Sequence, residues 1–412
     1  MATPPTPDQP SRLLNLPPEI REHIYSLILH PHYNKSQDSD GYTTYAFADA
    51  LVLFGINKQI YNESHKIFYD LNVFARVETP WPQSKDHLHF EGDVRIVMKD
   101  ARAEKFENHR MVLGIDAPSY ERLDLERERY VVHADDLDKF AKTWFYANLS
   151  HPSLNQNLRL TLRLCDPFSP SWEEPHMPRA LQRRLLLPWG MVKNLQEMRI
   201  EGNLKPFSSI EKEMRAAQLE PVESAEHCLE ECTRFKQLGN TELKAGNYKA
   251  ALDFYTKAWH AIHVVIRGRQ RHVHGDAFFH KKLTEPPYAG KSGPAERLVL
   301  RVQLVANTCL AYLKLEDYEE CKFWGMRTIN TIREALGVGP EQDMSPQDEA
   351  ETNFPASQEM GRVYYRTALA CKAMDDKPAA RRLLNVAKIY LPSDADQKAV
   401  NEALRGCMLR IG

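Results

Sequence analysis

Lys236 and Asn240 stand four residues apart, as do Arg362 and Arg366, and Asn307 lies between the two pairs. On a helix, residues at i and i+4 lie one above the other, so each pair offers its polar groups from one stripe. Cations and amides together grip carboxylates, because a hydrogen bond to an ionised acceptor is shorter and stronger than a neutral one. A fold that stacks the three segments would make one pocket for an acidic peptide. Other residue types point to different chemistry. In RHVHGDAFFHKK, His272, His274, Asp276 and His280 have the identities of a metal-dependent hydrolase site, but Ala277 stands where an adjoining His would be needed. The same insert carries Arg267, Arg269, Arg271, Lys281 and Lys282, read as a solvated face rather than a nucleic-acid site. AGKS at 289–292 has the end of a phosphate loop. Glu285 stands where that loop needs its first Gly, so a turn into a helix with Pro294 in its first turn fits better. There is no GxSxG and no dinucleotide fingerprint. No catalysis, cofactor or metal is therefore expected.

The composition sets the frame for these residues. With 412 residues, 42% apolar and 27% charged, the chain has the make-up of an ordinary soluble protein of two or three domains. A net charge of −2 supplies no global field for nucleic acid. No apolar run nears the ~18 residues of a membrane span, and the start, MATPPTPDQPSR, lacks the layout of a secretion signal. The expected location is the cytoplasm, with the nucleus as a second compartment. Seven cysteines without a CxxC pair make neither a disulfide framework nor a zinc ribbon, and read as small buried residues.

The elements that must position the candidates follow from periodicity. Residues 1–11 are expected as a disordered tail. LLNLPPEIREHIYSLILHP places Leu16, Ile20, Ile24, Leu27 and Ile28 at helical spacing, and Ile56, Ile60, Ser64, Ile67 and Phe68 repeat the pattern. Strands are expected at 94–98, 158–164 and 196–200, with Leu158, Leu160, Leu162 and Leu164 alternating along one buried face. Residues 204–222, charged and holding two prolines, are expected to link the halves. Thereafter come three helical pairs: FKQLGNTELKAGNYKAALDFYTKA, VANTCLAYLKLEDYEECKFWGMRT and YYRTALACKAMDDKPAARRLLNVAKIYLP. Inserts near 268–293 and 337–356 separate them, each expected to extend a second helix and then loop. A last helix, ADQKAVNEALRGCMLRI, would cap the end.

The first pair, with Phe235, Leu238, Gly239, Gly246, Tyr248, Ala251, Tyr255 and Ala258 at fixed offsets, resembles the tetratricopeptide (TPR) family over about residues 225–411. Glu242 replaces a usual aromatic, and the unit starts fall about 70 and 59 residues apart instead of 34. On the groove face, Lys236, Asn240, Asn307, Arg362 and Arg366 resemble the carboxylate clamp of immunophilin-like co-chaperones, whose TPR domains hold the C-terminal Glu-Glu-Val-Asp of heat-shock chaperones. The resemblance implies that Lys236, Asn240 and Asn307 hold the terminal carboxylate and that Arg362 and Arg366 hold the aspartate side chain or peptide groups. Arg362 stands where the family usually has Lys, so a planar fork replaces a point donor. LPPEIREHIYSLIL with INKQIYNESHKIFYDLNVF resembles the F-box-like domain of fungal proteins over about residues 12–78. That resemblance implies that Leu16, Pro17, Ile20, Ile24 and Leu27 meet the linker subunit of an SCF ubiquitin ligase. The bland alternative is that these residues pack on the layer behind them.

The expected fold is thus a multidomain α+β chain. F-box-like helices (12–78) and a small α+β layer (79–203) precede the linker (204–222) and an all-α TPR solenoid with a capping helix (223–412). The expected function is a non-enzymatic adaptor for an acidic chaperone peptide. A substrate receptor of a ubiquitin ligase is the alternative and a metal-dependent hydrolase a remote one. Neither nucleic acid nor membrane is an expected partner.

Overall fold

The computed structural model describes residues 13–407 apart from 121–126, 171, 336, 340, 341, 343 and 354. The tail expected over 1–11 and the end of the expected capping helix lie outside the described residues. The chain is mixed α+β and divides into two compact units, Met1–Pro221 and Val222–Gly412.

In the first unit, α1 (Pro18–Leu29) starts on Pro17 and Pro18, where a fixed φ and a missing N–H suit a helix beginning. A hairpin of β1 (Lys35–Gln37) and β2 (Thr43–Tyr45) follows. Next comes α2 (Lys58–Leu71), whose N-cap Asn57 accepts from the Ile60 N–H at 2.9 Å. Arg21 binds α1 to α2: its Nε and Nη2 donate to Glu63 Oε2 and Oε1 at 2.9 and 2.6 Å. Asn72 joins the two helix ends, donating to the carbonyls of Leu29 and Phe68 at 3.1 and 3.0 Å.

The chain then builds β3 (Phe74–Thr79), α3 (Ser84–Gly92), β4 (Ile96–Lys99), α4 (Asp100–Lys105), β5 (Met111–Asp116) and β6 (Glu128–His133). It continues through α5 (Leu137–Ser150), β7 (Arg159–Leu164), α6 (Arg179–Leu186), β8 (Glu197–Glu201) and α7 (Ser208–Leu219). Among the described residues six strands form one sheet in the order β4-β6-β3-β5-β7-β8, parallel at β3–β5 and β7–β8 and antiparallel elsewhere. The leucine alternation behaves as expected: Leu158, Leu160, Leu162 and Leu164 are buried, and Leu162 lies opposite Leu113. Phe140, Trp144, Trp189, Ile210 and Met214 cover that face. On the opposite face Phe74 and Val131 pack with Tyr25, Leu29, Ile60 and Phe68.

Two expected boundaries change. A division at 78/79 would cut β3, because the first helices and the sheet share the core around Phe74 and Val131. The stretch 204–222, expected as a linker, holds α7, whose Ile210 and Met214 are fully buried. Its charges, including exposed Lys212 and Glu213, escape burial and mask an amphipathic helix.

In the second unit, α8 (Ala225–Lys244) and α9 (Tyr248–Ala261) form a first pair. A hairpin of β9 (Val264–Arg267) and β10 (Gln270–Val273), then α10 (Asp276–Phe279), lead to a second pair, α11 (Gly293–Lys314) and α12 (Tyr318–Ala335). After α13 (Pro346–Glu349) come a third pair, α14 (Ser357–Ala373) and α15 (Lys377–Tyr390), and a final α16 (Asp394–Arg405). Three turns close the pairs in one way. Gly246, Glu316 and Asp375 are left-handed, with φ of 85°, 60° and 61°. The next N–H then bonds back into the helix at 2.9 Å: Asn247 to the Glu242 carbonyl, Asp317 to Tyr312, Asp376 to Cys371. Seven positions before each turn residue sits a small buried one, Gly239, Cys309 or Ala368. A Cβ on Gly239 would lie 2.5 Å from the Tyr255 ring, so the crossing of α8 and α9 requires glycine.

The first insert differs from its expectation. Helix α9 stops at Ala261 rather than continuing, His263 turns left-handed (φ 54°), and the β-branched Val264, Val265 and Ile266 go into a hairpin. The second insert does follow an extended helix: α12 runs 18 residues. It is pinned by Arg333, whose Nη1 lies 2.6 Å from Glu349 Oε2, while the Tyr364 hydroxyl donates to Glu349 Oε1 at 2.8 Å.

Candidate functional site

The first helix of each pair carries the candidate residues: Lys236 and Asn240 on α8, Asn307 on α11, Arg362 and Arg366 on α14. The structure joins four of them in a row. Lys236 Nζ donates to Gln303 Oε1 on α11, and Asn307 Nδ2 donates to Asn240 Oδ1 at 2.7 Å. Arg366 Nη1 donates to the Ala306 carbonyl beside Asn307. Arg362 lies one turn before Arg366 on α14, with its Nη1 3.7 Å from Glu359. All five are partly buried.

Asn240 is held in one orientation. Its Oδ1 accepts from Asn307 and also from the Tyr255 hydroxyl at 2.9 Å, and among the described residues its NH2 has no acceptor. Burial pushes the Tyr255 phenol up to about 12, against an opposing pull from Arg366, so it remains a donor.

The cations are held against their preference. Burial lowers the Lys236 ammonium below its ordinary value, with Glu359 offsetting only part of this. Burial likewise lowers the Arg366 guanidinium, and the neighbouring Arg362 charge adds to the effect. Neither Lys236 nor Arg366 makes an ion pair among the described residues. A cation removed from water and given only neutral acceptors is incompletely compensated, and an arriving carboxylate would supply the missing charge.

Sequence reasoning did not single out Gln303, Glu359 or the orienting role of Tyr255. Gln303 stands four before Asn307 and Glu359 three before Arg362, so helical spacing from the named residues was the available signal.

The other candidates fall elsewhere. Ile20 and Leu27 on α1 are each 48% exposed and Leu16, just before the helix, is 37% exposed; the N-cap Pro17 is exposed and Ile24 is half-buried. The inward stripe is Arg21, Tyr25 and Leu29, so the bland alternative, in which the same residues pack on the layer, does not describe Leu16, Ile20 or Leu27. In the histidine-rich insert, Asp276 is bound by Arg297 at 2.6 Å and the His274 carbonyl accepts from the same guanidinium. Among the described residues no three His, Cys, Asp or Glu side chains converge on a point that could hold a metal. Nor is the basic stretch uniformly solvated: Arg271 lies 5.2 Å from the Trp259 ring centre, and burial pushes it down to about 9. AGKS forms a turn, with Gly290 left-handed and α11 starting at Gly293 and Pro294. All seven cysteines are free, and all but the half-buried Cys165 are buried. No helix among the described residues is long and apolar enough to cross a membrane. Comparison with family models, with curated proteins and with solved structures returns no match.

Proposed function

We propose that the chain is a non-enzymatic adaptor whose helical second unit, read as a TPR domain, holds an acidic peptide C-terminus of the kind carried by heat-shock chaperones. The observation that carries this reading is the row formed by Lys236, Asn240, Asn307 and Arg366, in which two partly buried cations hydrogen-bond only neutral acceptors and the Asn240 NH2 has no acceptor among the described residues. Lys236 with the two amides takes the main-chain terminal carboxylate. Arg366 and Arg362 take the last side chain or a peptide carbonyl. Charge-assisted hydrogen bonds contribute roughly 1.5–3 kcal/mol each before ordering and desolvation costs, so micromolar affinity is expected. Calorimetry of the full chain with a Glu-Glu-Val-Asp peptide tests it. Saturable binding at one site that weakens as salt rises is expected; no heat at ~100 µM would sink the reading.

A second reading is favoured by one further observation. Ile20 and Leu27, with Leu16 just before the helix, leave apolar side chains exposed on an α1 whose other stripe, Arg21, Tyr25 and Leu29, is buried. An F-box-like role, with the exposed stripe meeting the linker subunit of a ubiquitin ligase, makes use of that surface, and one receptor could deliver chaperone clients to a ligase. Co-purification of the linker subunit with the full chain, lost on Ile20→Asp with Leu27→Asp, is the expected result. Its absence from the unaltered chain would remove this reading and leave the peptide groove standing.

A further inference from the structure

Neither reading uses three arginines that the second unit gathers at its β9–β10 hairpin. Arg271 shares a face of the hairpin with Val264, Ile266 and Val273, which pack on the helical core, and lies 5.2 Å from the Trp259 ring centre. Arg327 on α12 donates from Nη1 to the Arg269 carbonyl in the hairpin turn at 3.0 Å. Arg301 on α11 follows by one turn Arg297, which donates to the His274 carbonyl just beyond β10 at 2.6 Å. It stands two residues before Gln303, so helical spacing puts it on the side of α11 away from the groove row. We propose that Arg271, Arg301 and Arg327 bind a phosphate dianion, free or as the monoester of a small molecule.

The cluster lacks an anion and keeps its donors within reach. Among the described residues none of the three makes an ion pair, and Arg271 and Arg301 make no hydrogen bond. All three are partly exposed, and none of their nitrogens is among the buried polar atoms that go without a partner. The free N–H groups of Arg271 and Arg301 therefore face solvent. Burial pushes Arg271 down to about 9, and the charges of Arg301 and Arg327 push the same way. Burial lowers Arg301 as well, with Asp276 opposing. Asp276 is held by Arg297 at 2.6 Å and Glu320 by Arg269 at 2.7 Å, so both acids are already engaged. Like charges gathered without a counter-charge disfavour one another, and an anion that joins them removes that cost. A guanidinium is planar and forked, which matches the oxygens of phosphate two at a time. Three cations attract a dianion more strongly than a monoanion. A phosphomonoester, with a second pKa of about 6, is a dianion at about pH 7.5, where Arg271 is still charged.

Calorimetry of the full chain at about pH 7.5 with phenyl phosphate, inorganic phosphate and dimethyl phosphate tests the proposal. The first two should bind saturably at one site, and the monoanionic dimethyl phosphate at least about tenfold more weakly. Phenyl phosphate tighter than inorganic phosphate marks a monoester site, and the reverse a site for the free ion. Arg301→Gln removes no hydrogen bond or ion pair among the described residues. It should weaken the dianions about tenfold, the loss of one charge-assisted contact, while the chain unfolds no earlier on heating, because a like charge is gone. Arg271→Gln should weaken them similarly and decides where Arg301→Gln does not fold. Dianion binding untouched by these substitutions belongs to the groove or another surface and would overturn the assignment. So would equal affinity for dimethyl phosphate, the diester of a nucleic-acid backbone, or no binding of either dianion at ~10 mM.

Discussion

Arg333 and the groove cations occupy the same helical unit and meet desolvation in opposite ways. Arg333 and Glu349 are each 3% exposed and 2.6 Å apart, and Tyr364 satisfies the remaining carboxylate oxygen. Lys236 and Arg366 have neutral acceptors alone, Gln303 and the Ala306 carbonyl. The Arg21–Glu63 pair of the first unit behaves like the former: its hydrogen bond to Glu63 raises Arg21, whereas burial lowers Lys236 and Arg366. Burial of a cation therefore does not separate structure from function. The contrast on which the proposed peptide site rests is whether the fold provides a paired anion, as it does for Arg333 and Arg21 and does not for Lys236 and Arg366 among the described residues.

The sharpest way to break the comparison is Glu349→Ala. It strands Arg333 in the interior, and removing one partner of a buried pair costs about 3–5 kcal/mol; chemical denaturation should show that loss. By contrast, Lys236→Ala with Arg366→Ala should leave stability within about 1 kcal/mol, since no ion pair is broken, while peptide affinity falls about 100-fold, near 2.7 kcal/mol. A large stability loss with unchanged binding would reverse the roles assigned to the two sites. Next comes pH. The hydrogen bond from Arg21 holds the Glu63 carboxyl down to about 2 from its ordinary 4.5. A depressed carboxyl adds stability that is complete above pH 4.5 and lost as pH falls toward 2. Stability measured against pH should fall less steeply over that window in Glu63→Gln. The smallest effect is expected at the turns. Glu316 adopts the left-handed conformation that Gly246 provides without strain, so Glu316→Gly should raise stability by about 1 kcal/mol.

Much of this contrast could be read from residue spacing. The i, i+4 pairs Lys236/Asn240 and Arg362/Arg366 announced their faces, and the leucine alternation announced β7. Glu316 and Asp375 could not announce their turns, because a left-handed acidic residue leaves no mark in a sequence. The middle strands β3, β5 and β6 were missed for another reason. Arg76 and Glu78 pair with each other at 3.0 Å on the sheet's second face, and Gly114 interrupts the run Met111–Asp116, so β3 and β5 lack a uniform apolar signal, while in β6 the apolar run is only Tyr130, Val131 and Val132 between charged residues and a histidine. In 204–222 two prolines and many charges outweighed the two residues, Ile210 and Met214, that anchor α7. The Arg333–Glu349 pair was illegible because its members come from a helix and an insert, and only the fold brings them together.

The central claim is that Lys236 and Arg366 have no ion-pair partner among the described residues and that a peptide terminus supplies one. Calorimetry of the full chain with two versions of one Glu-Glu-Val-Asp peptide, one ending in a free carboxylate and the other in an amide, tests that most directly. The account expects micromolar binding of the free acid and at least about tenfold weaker binding of the amide, the loss of one charge-assisted contact. Equal affinity for the two, or no binding of either, would contradict it.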